Sequence, residues 1–249
     1  MGVATDHACA ATELELSVLV AAHGEEKRIE RCLARLSSFL RAAHPRSEIV
    51  VSEDGSKDRT ATIISEFKER NNGPVPVIFL HSSRRLGKGA GLKRAIHAAS
   101  GRYAVFIDAD LPVPLESITA AVAMLEQGAD LVVGSRTTRG SSRNDPFLRR
   151  VLSHGFHILA RLLLGIRWDS QCGFKALRTF VGRKVLSRVV SAGFAFDVDL
   201  LLNARRIGAR IVEIPVQWRC GKHSSVRLPR DVIRMFTELM KILFRVGLS

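Results

Sequence analysis

The 249-residue chain is short of aromatic side chains, of acids and of patterned cysteines. It has one tyrosine and two tryptophans, and no helix-turn-helix, zinc-finger or RNP-like motif, which argues against a nucleic-acid partner. The four cysteines, Cys9, Cys32, Cys172 and Cys220, form no C-x-x-C pair, so neither a zinc knuckle nor a redox dithiol is expected, and reduced thiols of a cytoplasmic protein fit best. No run of 18 apolar residues occurs. The longest, around 158–166, is broken by Arg161, so no membrane span is expected. Residues 1–13 carry Asp6 and Glu13 without an apolar core and read as a flexible N-terminus rather than a secretory leader. Acids are outnumbered: 24 Asp and Glu against 38 Lys and Arg give a net charge of +14. The excess is concentrated around Arg136, Arg139, Arg143, Arg149, Arg150 and Arg161, and again around Arg219, Lys222, Arg227, Arg230 and Arg234. Such clusters attract phosphorylated substrates, anionic lipid or nucleic acid.

What is present is an alternation of apolar runs and amphipathic stretches, the pattern of an α/β sheet. Strands are expected over 14–22, 48–52, 75–81, 103–107 and 131–134. Helices are expected over 25–40, 58–70, 115–127, 147–164, 182–190 and 198–207, with a loop and helix over 86–100. Residues 211–218 read as a strand whose Pro215 predicts an edge or a bend. Residues 141–146 read as a polar loop, 221–229 as a basic loop and 231–246 as an amphipathic helix. One domain over 14–220 with a C-terminal appendage over 221–249 is the expected organisation.

The chemistry-bearing residues sit at strand ends. Asp108-Ala109-Asp110 closes the fourth apolar run. Extended residues i and i+2 point the same way, so the two carboxylates are expected together at the carboxyl end of a buried strand, where open α/β sheets bind ligands. Oxygen-only ligation suits Mg²⁺ or Mn²⁺ holding phosphates. The alternative is a helix cap before Pro112 and Pro114. Asp54-Gly55-Ser56 after the second strand is a nucleotide contact or an ordinary turn. Leu86-Gly87-Lys88-Gly89 suggests a loop closing on a ligand, without phosphate-loop or dinucleotide spacing. Arg149 and Ser153, one helical turn apart, could clamp a phosphate or form a solvated basic face. His154 and His157 have metal spacing but no third ligand. Asp197 and Asp199 read first as acids of a helix N-terminus.

In order, Leu16-Ser-Val-Leu-Val-Ala-Ala-His-Gly-Glu-Glu26, Glu53-Asp54-Gly55-Ser56, Gly87-Lys-Gly89, Asp108-Ala-Asp110 and Gly134-Ser-Arg136 resemble the family 2 glycosyltransferases, and among them the polyprenyl-phosphate sugar synthases. Asp169-Ser-Gln-Cys-Gly-Phe-Lys175, Phe194-Ala-Phe-Asp-Val-Asp-Leu200 and Glu213-Ile-Pro-Val-Gln-Trp218 are similar to the dolichyl-phosphate glucose synthases more than to the mannose enzymes. Pro112, standing where many mannose enzymes carry a Gln ligand, points the same way. The resemblance covers about residues 14–235. It implies a GT-A fold, with a mixed, mostly parallel sheet between helices, and inverting transfer of glucose from UDP-glucose to a polyprenyl or dolichyl phosphate at the cytoplasmic face of a membrane. Transfer from GDP-mannose, or to a soluble acceptor, is the alternative.

The same resemblance assigns Ala21, His23, Glu25, Asp54, Lys88, Asp108 and Ala109 to the donor. It assigns Asp108 and Asp110 to a Mg²⁺ or Mn²⁺ cofactor, and Arg136, Arg149 and Ser153 to the acceptor phosphate. Asp108, Asp110 and Arg136 are thereby the expected catalytic residues. The helices over 147–164 and 231–246 are expected to lie against the bilayer or a membrane-protein partner.

Overall fold

The computed structural model describes residues 14–144, 147–191, 193, 195–219 and 237–244, with the side chains of 143–154 outside that description. Residues 1–13, and the basic loop over 221–229, therefore lie outside the described residues, as does the start of the expected C-terminal helix.

Seven strands form one sheet in the order β3 (Val77–Leu80), β2 (Ser47–Glu53), β1 (Leu16–Ala22), β4 (Tyr103–Asp108), β7 (Lys175–Arg178), β5 (Leu131–Ser135), β8 (Ile211–Pro215). All pairings are parallel except those of β7, which runs antiparallel to both β4 and β5. This is the mixed, mostly parallel α/β sheet expected.

Alternation within the strands divides the core into two layers. Val18, Val20, Ile49, Val51, Val105 and Ile107 pack on one face against α1 (Ile29–Ala43), α2 (Thr60–Arg70) and α4 (Glu116–Glu126). Leu19, Val50, Ala104 and Phe106 face the other layer. There they meet α3 (Lys88–Ala98), α5 (Phe147–Leu164), α6 (Thr179–Arg188) and α7 (Phe196–Arg206). Strands buried on both faces read as unbroken apolar runs, which is why β1 and β4 were visible in the sequence. The helical segment 237–244 joins the second layer through Leu239 and Ile242.

Two strands were not expected. β7 is four residues long and carries Lys175, fully buried, so no apolar pattern announces it. β6 (Ser142–Asn144) lies within the expected polar loop and pairs in parallel with β9 (Gln217–Arg219). The bend predicted at Pro215 is there: β8 ends on that residue at the sheet edge, and β9 resumes after Val216 to join the second sheet.

Candidate active site

β1 has β2 on one side and β4 on the other, so the crevice at their carboxyl ends is the switch point where such sheets take ligands. The register aligns Ala22 with Glu53 and Ala21 with Asp108, bringing the loops after β1, β2 and β4 together. Cross-loop hydrogen bonds stitch the first two. His23 Nδ1 lies 2.7 Å from the Asp54 carbonyl, the Gly24 N–H donates to Ser56 Oγ at 3.0 Å, and the Glu25 N–H donates to Thr60 Oγ1 at 2.8 Å. Glu53, wholly buried, accepts from the Ser56 N–H and lies 2.7 Å from His81 Nδ1. Gly55 takes φ +64, and an added Cβ would lie 2.5 Å from the Arg84 backbone, so both the turn and the close approach call for glycine.

Asp54 has a task within the fold. Its carboxylate turns inward and accepts from the N–H groups of Leu86 at 2.5 Å and Gly87 at 2.9 Å, so it fixes the loop that leads into α3. That loop aims Lys88, the first residue of α3, across the crevice. Lys88 Nζ reaches Asp108 Oδ1 at 2.6 Å, with 36% and 32% of the two side chains exposed. Burial works against the Lys88 charge, but Asp108 outweighs it and holds the ammonium above its ordinary range. Burial likewise opposes the Asp108 charge, and Lys88 overcomes it, so Asp108 sits below the usual carboxylate range.

The strand argument for the aspartate pair needs correction. β4 stops at Asp108, and a turn closed by the Leu111 N–H on the Asp108 carbonyl carries Ala109 and Asp110. Proximity of the carboxylates therefore comes from the turn, not from strand alternation. Leu111 occupies the left-handed region at φ 48, a cost of about 1 kcal/mol or more accepted beside this pair. Loss of water, then the Asp108 charge, raises the pKa of Asp110. Glu25 is raised for related reasons, first by burial and later by Asp110 and Asp108, against the lowering effect of Arg28 at 2.7 Å. Ala109 packs into the core, leaving only its backbone for a ligand.

Two oxygen donors crowded until they repel are a donor set for a hard divalent cation, so Asp108 and Asp110 fit Mg²⁺ or Mn²⁺. Among the described residues no group of three or more His, Cys, Asp or Glu converges on a metal position. Cys172 is fully buried nearby, and burial pushes its thiol up to about 12.

The second half of the edge is built differently. Arg136, one residue past β5, forks onto Asp169 through Nε at 2.8 Å and Nη2 at 2.9 Å, and its own N–H donates to the same carboxylate. The guanidinium lies 5.3 Å from the Trp218 ring centre, and Glu213 accepts the Asp169 N–H at 2.7 Å. Burial opposes the Asp169 charge, yet the hydrogen bonds and charge of Arg136 bring its pKa down to about 2. Arg136 was expected to clamp the acceptor phosphate. Here Nε and Nη2 of its guanidinium face the Asp169 carboxylate, the counter-charge a buried guanidinium needs. The side chains of Arg149, Ser153 and His154 lie outside the described residues; α5 carries all three.

Sequence reasoning missed several supporting groups. Gly173 lies so close to Asp108 that a Cβ there would fall 2.0 Å from Oδ2. Lys175, paired with Phe106 across β4 and β7, donates to the Cys172 carbonyl and to Asp197, each at 2.6 Å. Asp197 and Asp199 stand in the first turn of α7, as the sequence suggested, and Asp199 also accepts from the Val190 and Ser191 N–H groups. The only available signal was the run Cys172-Gly-Phe-Lys175, whose small residue and lone lysine mark a close approach inside apolar surroundings.

The chain resembles known proteins along most of its length. It is 30% identical over 251 residues to the dolichyl-phosphate beta-glucosyltransferase of Saccharomyces cerevisiae, covering 92% of this chain and 74% of that protein. The enzyme of the same name from Dictyostelium discoideum is 29% identical over 245 residues, covering 92% and 74%. Glycosyltransferase AglD of Haloferax volcanii is 32% identical over 241 residues, and the chain spans only 38% of its length. Among solved structures, glucosyl-3-phosphoglycerate synthase from Mycobacterium tuberculosis with Mn²⁺ and UDP-glucose superposes with a TM-score of 0.66 at 21% identity. It covers 92% of this chain and 78% of that one, a likeness of GT-A fold. The model of glycosyl transferase family 2 matches residues 17–186. The chain belongs to glycosyl transferase family 2.

Proposed function

We propose that the chain transfers glucose from UDP-glucose to a polyprenyl phosphate of the dolichyl type, with inversion at the anomeric carbon. One observation carries the reading. The carboxylate pair at the end of β4 faces Lys88 at the switch point, in a chain whose relatives along nine-tenths of its length are named dolichyl-phosphate beta-glucosyltransferases.

The crevice formed by Ala21, His23, Glu25 and the Asp54 turn receives the uridine. His23 stacks on the base, and the Ala109 backbone closes one side. Asp108 and Asp110 hold Mg²⁺ or Mn²⁺, which when bound offsets charge developing on the departing diphosphate. Lys88 adds a second positive charge to that oxygen cluster. A phosphate monoester is largely ionised at neutral pH, so the acceptor needs orientation rather than a general base. Its oxygen forms the new bond to the anomeric carbon as the bond to UDP breaks, and the electron pair leaves with UDP.

Arg149 and Ser153 on α5 hold the acceptor phosphate. Arg136, anchored by Asp169 and Trp218, gives that end of the crevice its shape. The lipid lies along exposed apolar side chains, and Leu162 of α5 and Phe244 of the C-terminal segment are 77% and 67% exposed. Among the described residues no helix is long and apolar enough to cross a membrane. Attachment at the cytoplasmic face, to lipid or to a membrane-protein partner, is assigned to α5, the C-terminal segment and the basic residues.

The test is incubation of the protein with radiolabelled UDP-glucose, and separately GDP-mannose, in the presence of polyprenyl phosphate. Label from UDP-glucose entering the organic phase is expected. Label only from GDP-mannose, or only on a water-soluble acceptor, would overturn the reading.

A further inference from the structure

We infer that Lys88 is an internal stand-in for the divalent ion at Asp108, so that metal binding is tied to arrival of the nucleotide diphosphate. The inference rests on the metal role given above to Asp108 and Asp110. Lys88 Nζ is 2.6 Å from Asp108 Oδ1, the distance of a charge-assisted hydrogen bond. A divalent ion taking that oxygen would meet an ammonium on the same carboxylate, and the two cations repel. A metal that takes Asp108 Oδ1 without nucleotide therefore has to break the Lys88–Asp108 pair.

The rest of the site lets that exchange happen at one side chain. Asp54 pins the backbone of Leu86 and Gly87, so only the flexible stem of Lys88 need move. Lys175, the neighbouring cation, is fully buried and tied to Asp197 and Cys172, so it cannot take over the vacated position. The displaced ammonium has a natural destination. It is the first residue of α3, whose first-turn N–H groups lack intrahelical acceptors and favour phosphate. A diphosphate there attracts Lys88 away from Asp108 and opens the carboxylate to the metal. Linkage is reciprocal, so each ligand tightens the other.

The test measures Mn²⁺ affinity by paramagnetic resonance, with and without UDP, after subtracting Mn²⁺ held by UDP in solution. Wild type should bind Mn²⁺ weakly alone and roughly 5- to 150-fold more tightly with UDP, the usual range of coupling between sites. Lys88→Met should bind Mn²⁺ alone at least about 5-fold more tightly than wild type and gain less from UDP. Lys88→Arg, which keeps the cation, should behave as wild type, and thermal melting should find both variants folded. Asp108→Asn should lose Mn²⁺ in every condition. If Lys88→Met binds Mn²⁺ alone no better than wild type, the stand-in role is wrong while the metal role survives. If wild type takes up no Mn²⁺ even with UDP, the metal role itself falls.

Discussion

Two cation–aspartate pairs stand at the carboxyl edge of the same sheet and are made for different purposes. Lys88–Asp108 keeps about a third of each side chain in contact with water. Arg136–Asp169 keeps 8% and 6%. The first joins a flexible ammonium to one carboxylate oxygen, so either partner can be exchanged for a ligand. The second is a planar fork stacked on Trp218, with its carboxylate further held by the Gln171 N–H. Breaking it would strand a charge out of water. Access, not the identity of the charges, separates a pair that can work from a pair that holds shape. The two halves meet where the Arg219 N–H of β9 donates to the Pro112 carbonyl just beyond the aspartates.

The sharpest way to break this comparison is to substitute one acid from each pair. Asp108→Asn should leave the fold near wild type but cut transfer into polyprenyl phosphate by roughly 10²–10³-fold or more, the scale of a lost electrostatic contact at the reacting centre. Asp169→Ala should do the opposite kind of damage. Stranding the Arg136 charge should cost about 3–5 kcal/mol, read as a lower denaturant midpoint, whereas Arg136→Met with Asp169→Leu should recover most of that loss. Equal stability losses in Asp108→Asn and Asp169→Ala would erase the distinction.

Gly173→Ala tests the open pair from behind. Its Cβ would displace the Asp108 carboxylate, so activity should fall by about 10²-fold, more than stability falls. Acid sharpens the closed pair. Asp169 titrates at about 2 in the fold against an ordinary value of 3.8, so its contribution of roughly 2 kcal/mol is present above pH 4 and is lost as pH falls through 2. Urea midpoints should therefore fall faster in acid for wild type than for the Arg136→Met, Asp169→Leu protein. The smallest effect belongs to a fully open pair away from the crevice. Arg70→Ala, breaking a contact to Glu30 with 63% and 58% exposure, should shift stability by under about 0.5 kcal/mol and leave transfer unchanged.

The edge formed by β1, β2 and β4 was readable from sequence because parallel strands buried on both faces announce themselves, and each ends beside a residue the sequence singles out: Ala21 and His23, Asp54, Asp108. The edge around β5 and β7 was less so. β7 is short and its central event is a buried lysine, which reads as a surface residue in any pattern of apolar spacing. Arg136 was singled out, but a list of residues does not reveal that Asp169, 33 positions later, would return to neutralise it. The same limit applied to Asp54, whose inward hydrogen bonds depend on where the Leu86 loop passes. Long-range pairing decides whether a charge is offered to a ligand or used up within the fold.

On the proposed function, the open carboxylate pair works through a divalent metal on the diphosphate of the donor. Transfer of label from UDP-glucose to polyprenyl phosphate, followed while EDTA is added and then Mn²⁺ or Mg²⁺ restored, tests it most directly. The account predicts a rate that falls to background in EDTA and returns with the metal in wild type. An undiminished rate in EDTA would contradict it.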